Sequence, residues 1–97
     1  MQFLITAYDG PGMLEKRMED RKRHLENMKK RKCSVLCAGG LLDEEGKMKG
    51  SVLVMDFPGR EQLDEYLNTE PYYVEKVWTD VKVEVMNVVI LNHERVR

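Results

Sequence analysis

The sequence is poor in the residues and segments that define several common classes of protein. Its 97 residues include two cysteines, two histidines and three prolines, and the net charge is −1 at pH 7. No apolar run approaches the roughly 18 residues of a membrane span, and no basic segment followed by an apolar core marks a secretory signal. The small net charge argues against an obligate nucleic-acid-binding protein. We therefore expect one cytoplasmic domain, 1–97, with neither a membrane nor a nucleic acid as partner.

The few cysteines and histidines do not make a metal site. Cys33 and Cys37 are four positions apart, which on a strand places them about 13 Å apart at ~3.3 Å per residue, too far for a disulfide. No histidine or cysteine nearby completes a zinc set, and no G-x-x-x-x-G-K phosphate loop is present. We expect buried thiols, no metal and no cofactor.

Positive charge is abundant in one segment. Nine of the sixteen Lys and Arg residues lie in 16–32. Such a run is compatible with phosphate contact, and nucleic-acid binding through this helix would show a steep dependence on salt. The run also contains Glu15, Glu19, Asp20 and Glu26, and we favour a solvated helix face.

The first half of the chain predicts a strand, a helix and a hairpin. Residues 2–8 form a strand that ends at the turn 9–12. Residues 13–32 form a helix, and 33–42 and 49–57 form two strands around the turn 43–46. The predicted apolar stripe of the helix recurs at steps of three and four, with His24 at its edge: Leu14, Met18, Arg21, Leu25 and Met28.

The second half predicts helices followed by a strand. Residues 60–68 form a short helix, and Pro71 starts another helical turn that reaches about Trp78. A strand follows from Val81, its phase slips near Met86, which suggests a bulge or an extension that meets another chain, and 92–97 form a polar tail. The order β-α-β-β-α-(α)-β predicts an α+β, ferredoxin-like domain with an antiparallel sheet and helices on one face.

One face of such a sheet has no helix to cover it. The apolar runs 3–5, 52–55 and 88–91 indicate that this face does not meet water, because a half-exposed strand alternates polar and apolar residues. A chain of this length also has a thin core. A second copy related by a two-fold axis covers the face most simply, so we expect a homodimer.

Several short segments, in this order, resemble the YciI-like family. They are Leu14-Glu15-Lys16-Arg17, Arg21 with His24-Leu25 and Met28, Leu36-Cys37-Ala38-Gly39-Gly40, Gly50-Ser51, Asp56-Phe57 and Glu70-Pro71-Tyr72. The resemblance covers nearly the whole chain. It implies a dimeric α+β barrel of two facing ferredoxin-like sheets, with one active-site cleft in each subunit.

The resemblance also implies a catalytic histidine from the first helix and an aspartate just before a proline. These positions correspond to His24 and Glu70. Glutamate departs from the family pattern, and its extra methylene moves the carboxylate by about 1.5 Å unless the backbone shifts. A displacement of ~1 Å can cost about 10²-fold in rate.

Both residues have a structural alternative. His24 is interpreted as a general base with Glu70 as the carboxylate that orients its ring. Alternatively, His24 only packs its ring, and Glu70 is an acid at the start of a helical turn.

Five more residues are candidates for substrate binding. Arg21 could bind a carboxylate or phenolate, or form a salt bridge with Glu70, and Arg17 is a similar candidate one turn earlier. Gly40 would admit a ligand close to the backbone, or mark a bend in the strand. Ser51 and Tyr72 could line the cleft, or be ordinary strand and core residues.

Two functions follow from these candidates. The first is a small cofactor-free enzyme, in which His24 and Glu70 transfer a proton on a small cyclic or enolic compound, as a lyase, isomerase or dehydrochlorinase does. Some family members resemble lyases that act on hydroxylated aromatics. The alternative is a non-catalytic homodimer that binds a small ligand, or an accessory domain.

Overall fold

The computed structural model describes residues 1–31 and 34–96. Its elements are β1 Gln2–Asp9, α1 Leu14–Lys30, β2 Val35–Leu42, β3 Met48–Asp56, α2 Arg60–Leu67, α3 Pro71–Val74, β4 Trp78–Met86, β5 Ile90–Leu91 and β6 Glu94–Arg95.

The main sheet has four antiparallel strands in the order β2-β3-β1-β4. Ile5 of β1 pairs with Leu53 of β3 on one side and with Val83 of β4 on the other. The apolar residues of these strands that face the helices form the core with those of α2 and α3. The predicted α+β, ferredoxin-like fold is confirmed.

Local chemistry explains two of the turns. Between β2 and β3, Asp43 Oδ1 accepts hydrogen bonds from the backbone N–H groups of Glu45 and Lys47, and Gly46 takes a positive φ of 79°, which only glycine adopts without strain. Before α3, Glu70 is the N-cap and Pro71 occupies the first helical turn, where the missing N–H of proline costs no hydrogen bond. This turn fixes the position of Glu70.

The buried face of α1 is not the predicted apolar stripe. Met18 and Leu25 are 53% and 48% exposed, whereas the buried residues of the helix are Arg17, Asp20 and His24. The buried set has the same three-to-four spacing, and its charged groups have partners at Arg17 Nη1 and Nη2, Asp20 Oδ1 and His24 Nδ1, which offsets much of the cost of burial. Arg17 Nε and Asp20 Oδ2 have no partner among the described residues. The inward face that we assigned from apolar periodicity was wrong.

The C-terminal part of the fold differs from the prediction at three places. Helix α3 ends at Val74, and Trp78 opens β4 instead of closing the helix. The register shift of β4 lies opposite Tyr8 and Asp9 instead of near Met86. The predicted polar tail contains β6, which pairs with β5 across a turn with positive φ at Asn92 and His93.

Only one of the two cysteines lies in the described part of the chain. Cys33 lies outside the described residues, so its predicted place at the start of β2 is not seen, and β2 starts at Val35. Cys37 is a free thiol and is exposed, which corrects the expectation of burial. The strand β2 is at an edge of the sheet, so in the described part of the chain one side of it has no neighbouring strand.

The sheet face opposite the helices is apolar at its centre. Leu4, Thr6, Val52 and Val54 alternate with core residues along β1 and β3 and are only partly buried. At the margin of this face, the Gln2 side chain accepts a 2.7 Å hydrogen bond from the Val88 backbone N–H. We call the four central residues the open face. Separately, within 1–31 and 34–96 no helix is long and apolar enough to cross a membrane.

Candidate functional site

The fold brings His24 of α1 and Glu70 of the turn before α3 into direct contact. His24 Nδ1 lies 2.6 Å from Glu70 Oε1, although the two residues are 46 positions apart in the chain. Both side chains are buried, and Glu70 is completely inaccessible to solvent. The contact is a short charge-assisted hydrogen bond between histidine and a carboxylate.

Glu70 accepts hydrogen bonds at both carboxylate oxygens. The Tyr72 backbone N–H donates to Oε1 at 3.2 Å, and the Tyr66 hydroxyl donates to Oε2 at 2.7 Å. An ionised carboxylate is the form that accepts at both oxygens. When the neutral ring carries its proton on Nδ1, His24 donates to Glu70 Oε1 and Nε2 is left unprotonated.

Aromatic contacts fix the plane of the imidazole. The ring of His24 stacks on that of Tyr72, with centroids 4.2 Å apart and an angle of 15° between the planes. Trp78 approaches the imidazole edge-on at 6.2 Å. Since Tyr72 follows Glu70 by two positions, one helical turn supplies both the carboxylate and the stacking partner.

Arg17 forms a second buried network beside the first. Its guanidinium donates from Nη1 to Asp9 Oδ1 at 2.8 Å and to Oδ2 at 3.1 Å, and from Nη2 to Ser51 Oγ at 2.7 Å. Its Cζ lies 4.7 Å from the centre of the Tyr72 ring, a cation–π contact. Burial raises the pKa of the Asp9 carboxyl, and the charge of Arg17 opposes this rise. The network joins α1 to β1 and β3.

The two buried phenols remain protonated at neutral pH. Burial, together with the charge of Glu70, raises the pKa of the Tyr66 hydroxyl far above its usual range. Burial also raises the pKa of Tyr72, against the opposing charges of Arg17 and Arg21. The Tyr66 hydroxyl therefore keeps its proton and donates it in a hydrogen bond to Glu70 at neutral pH.

A cavity of about 320 Å³ opens beside these networks, between α1 and strands β2 and β3. His24, Arg17 and Tyr72 form part of its polar wall, and Nε2 of His24 has no hydrogen-bond partner within 1–31 and 34–96. The cavity is also lined by Arg21, Leu25, Met28, Val35, Ala38, Gly39, Gly40, Met48, Ser51 and Leu53. The mixture of an apolar lining with a few convergent polar groups is typical of a small-molecule site.

The structure places every predicted site residue at or directly behind this cavity. His24, Arg17, Arg21, Gly40, Ser51 and Tyr72 line it. Glu70 lies behind His24, out of contact with solvent. The alternative salt bridge between Arg21 and Glu70 does not form, and Arg21 has no ion pair with any described residue.

At Gly40 the backbone of β2 lies close to a neighbouring side chain. A Cβ at this position would lie 2.3 Å from Met48 Sδ, whereas a Cβ at Gly39 would meet nothing within 4 Å. Gly40 therefore allows Met48 to lie against β2 at the cavity wall.

Sequence reasoning missed two residues of the site. Asp9 was assigned to a turn, although an acid at the end of a strand is well placed to pair with a buried arginine. Tyr66 lies in the predicted helix 60–68 and was given no role, and its spacing of four from Glu70 was the signal that could have paired them.

Part of the basic run on α1 is neutralised by acids. Lys16 Nζ lies 2.6 Å from Glu75 Oε2, and Arg23 contacts both Asp20 and Glu75. The hydrogen bond and charge of Lys16 lower the pKa of Glu75. These ion pairs connect α1 to the end of α3. No cluster of three or more potential metal ligands is found in the described part of the chain.

This geometry defines a class of protein: a ferredoxin-like α+β domain with a buried histidine–carboxylate contact at the wall of a cavity. The YCII-related domain model matches residues 1–87. The chain belongs to the YCII-related domain family.

Three similar proteins illustrate the relationship. Aspercryptin biosynthesis cluster protein B of Emericella nidulans is 30% identical over 86 residues, which cover 79% of this chain and 55% of that protein. The chain thus spans little more than half the length of this curated relative. The 5-chloro-2-hydroxyhydroquinone dehydrochlorinase TftG of Burkholderia phenoliruptrix AC1100, in complex with 2,5-dihydroxybenzoquinone, is 24% identical with a TM-score of 0.83, covering 90% of this chain and 94% of that one.

An antibiotic biosynthesis monooxygenase has the same architecture at greater distance. It is 15% identical with a TM-score of 0.57, covering 91% of this chain and 97% of that one. At these identities the two structural similarities establish the shared fold.

Proposed function

We propose that this protein is a small cofactor-free enzyme that transfers a proton on a small cyclic or enolic compound, with His24 as the general base and Glu70 as the carboxylate that orients it. The 2.6 Å contact between His24 Nδ1 and Glu70 Oε1 carries the proposal. A histidine whose second nitrogen faces a cavity, with its first held by a carboxylate, has the arrangement required of a general base.

The cavity favours a flat ligand with an acidic hydroxyl. The unpaired guanidinium of Arg21 supplies positive charge at its wall, which would stabilise a phenolate or enolate formed when His24 removes a proton. Apolar groups such as Leu25 and Leu53 line the rest and suit a ring. Hydroxylated aromatics are the first class to test, since a dehydrochlorinase of such compounds shares the fold.

The proposed reaction on a chlorinated hydroquinone balances without a cofactor. His24 Nε2 takes the proton of a ring hydroxyl and returns it to the chlorine-bearing carbon, so that the oxygen becomes a carbonyl. It then takes the proton of a second hydroxyl, the electron pair of that O–H bond forms the second carbonyl, and the ring double bond at that carbon shifts toward the chlorine-bearing carbon. The C–Cl electrons leave as chloride, and His24 releases the proton to solvent. The net change is loss of HCl to give a quinone.

We also propose that the protein acts as a homodimer whose two sheets meet through the open face. Leu4, Val52 and Val54 are apolar and only partly buried there, and a second copy would remove them from water. A 97-residue chain gains from such burial because its own core is thin.

A non-catalytic binding role is the second candidate. It is favoured by Glu70, because the family pattern has an aspartate at this position and the longer side chain departs from it.

Turnover of 5-chloro-2-hydroxyhydroquinone, followed by chloride release, tests the enzyme proposal. We expect His24→Gln to abolish release while binding of 2,5-dihydroxybenzoquinone persists. His93→Gln is the matched control, since His93 is exposed on the β5–β6 turn. Full turnover by a folded His24→Gln protein would refute the enzyme proposal, and binding without turnover in the wild type would favour the binding role.

A further inference from the structure

The hydroxyl of Tyr66 forms a hydrogen bond that packing in the core does not require. Tyr66 is completely buried, yet its hydroxyl donates a 2.7 Å hydrogen bond to Glu70 Oε2 and also lies 3.2 Å from Met28 Sδ. A phenylalanine would fill almost the same volume without a buried polar atom to satisfy. The hydroxyl is therefore explained by what it does to Glu70.

The two oxygens of Glu70 have separate partners. Oε1 faces His24 Nδ1 and the Tyr72 backbone N–H, while Oε2 faces the Tyr66 hydroxyl. If Oε2 lost its donor, a buried acceptor would be left unsatisfied, and rotation of the carboxylate would relieve this only by breaking the contact with His24. Tyr66 thus holds the carboxylate in the rotation that His24 uses.

We propose that Tyr66 is a positioning residue, which fixes the Glu70 carboxylate so that His24 keeps its proton on Nδ1 and presents a bare Nε2 to the cavity. The catalytic consequence rests on the proposed function. The tautomer of His24 does not, because it is a property of the free protein and can be observed without a substrate.

The direct test is the tautomer of His24 by ¹⁵N NMR of the histidine rings at a pH where the ring is neutral. In the wild type we expect a single Nδ1–H tautomer. In Tyr66→Phe we expect a mixture of both tautomers, with His93 unchanged. Tyr73→Phe is the matched control, because Tyr73 is 39% exposed and contacts Glu70 only through a backbone hydrogen bond that the substitution keeps. An unchanged His24 tautomer in folded Tyr66→Phe would overturn the proposal.

A second substitution keeps the test decisive if Tyr66→Phe does not fold. 3-Fluorotyrosine at position 66 retains the ring and the hydroxyl but makes the hydroxyl a stronger donor. The ¹⁵N shift of His24 Nδ1 should then move, and a shift identical to the wild type would contradict the proposal.

Kinetics separate this proposal from the proposed function. If the enzyme turns over, kcat in Tyr66→Phe should fall about tenfold, the rate equivalent of one hydrogen bond, with KM nearly unchanged. A tautomer change without turnover in the wild type would support the positioning role and remove the enzyme proposal. Turnover that depends on His24 but not on Tyr66 would support the enzyme proposal and contradict the positioning role of Tyr66.

Discussion

The imidazole of His24 lies flat on the phenol ring of Tyr72, with centroids 4.2 Å apart. The two residues come from different helices, and the contact is made because α3 starts at Pro71 and turns Tyr72 back toward α1. The same turn presents Glu70 to Nδ1 of the imidazole. Stacking thus limits tilting of the ring while the hydrogen bond limits its rotation, and the two together hold Nε2 at the cavity wall.

Removing only one partner of the Arg17–Asp9 pair should strongly lower the free energy of unfolding. We expect Arg17→Met to lower the free energy of unfolding by about 3 kcal/mol, since it leaves a buried carboxylate without its partner. The double variant Arg17→Met with Asp9→Asn should recover part of this loss. Denaturant unfolding of all four proteins measures the coupling, and a loss in the double variant equal to the sum of the two single losses would contradict a direct interaction.

The same substitution should alter the dependence of stability on pH. Burial raises the pKa of Asp9 above its ordinary value of 3.8, and Arg17 opposes the rise, so removing Arg17 raises this pKa further. A carboxyl with a raised pKa in the folded state stabilises the protein fully only below its unfolded pKa, and this contribution is lost as the pH rises through the folded pKa. The deficit of Arg17→Met should therefore be smallest below pH 3.8 and widen above it. A constant deficit would contradict this.

Tyr66 should make the fold sensitive to alkali. Its folded pKa is raised above the ordinary value of 10.0, so above that pH the unfolded chain ionises first and stability falls by up to about 1.4 kcal/mol per pH unit for this one group. Tyr66→Phe should be less stable at neutral pH, where Glu70 lacks its donor, but should lose stability less steeply above pH 10. Parallel curves for the two proteins would argue against the burial of an un-ionised phenol.

The open face should determine the oligomeric state. We expect the wild type to sediment as a dimer and Val54→Lys to sediment as a monomer, because a lysine at the centre of two facing sheets would have to be desolvated. Val85→Lys is the matched control: the same residue type, 63% exposed, but on the helix-side face opposite Phe3 in the β1–β4 pairing. Dissociation by Val85→Lys alone would place the interface elsewhere.

Gly40 and Gly39 offer a contrast between adjacent positions. Gly40→Ala would bring a Cβ within 2.3 Å of Met48 Sδ, so Met48 must move into or away from the cavity that it lines. On the proposed function, binding of 2,5-dihydroxybenzoquinone should be weaker by roughly tenfold, for a loss of about 1.4 kcal/mol. Gly39→Ala, with open space around its Cβ, should bind like the wild type. Calorimetric titration of both variants provides the comparison.

The topology could be predicted because each strand and turn carries local signals. The turn at Asp43 and Gly46 and the apolar run of β3 identify the hairpin without any long-range information. The inward face of α1 could not be predicted this way, because periodicity identifies apolar residues and not charged residues that find partners. Arg17 and Asp20 are inside only because Asp9, Ser51, Lys16 and Arg23 reach them.

The site was predictable in part and for a different reason. Short motifs around His24 and Glu70 predict the pair through the family resemblance, whereas the proximity of the two side chains depends on how α3 packs against α1. Asp9 and Tyr66 have no distinctive motif, and their roles appear only when strand ends and helix ends are placed in space. The C-terminal hairpin was missed because β5 and β6 have two residues each, too few for a pattern.

The inward polar face of α1 has a consequence for any attempt to redesign the protein. Replacing Arg17, Asp20 and His24 with aliphatic side chains of similar volume would follow the usual rules for a tightly packed core, and such exchanges of buried ions often increase stability. Selecting variants by melting temperature alone would therefore tend to remove the polar side chains at the cavity while preserving every strand and helix around it.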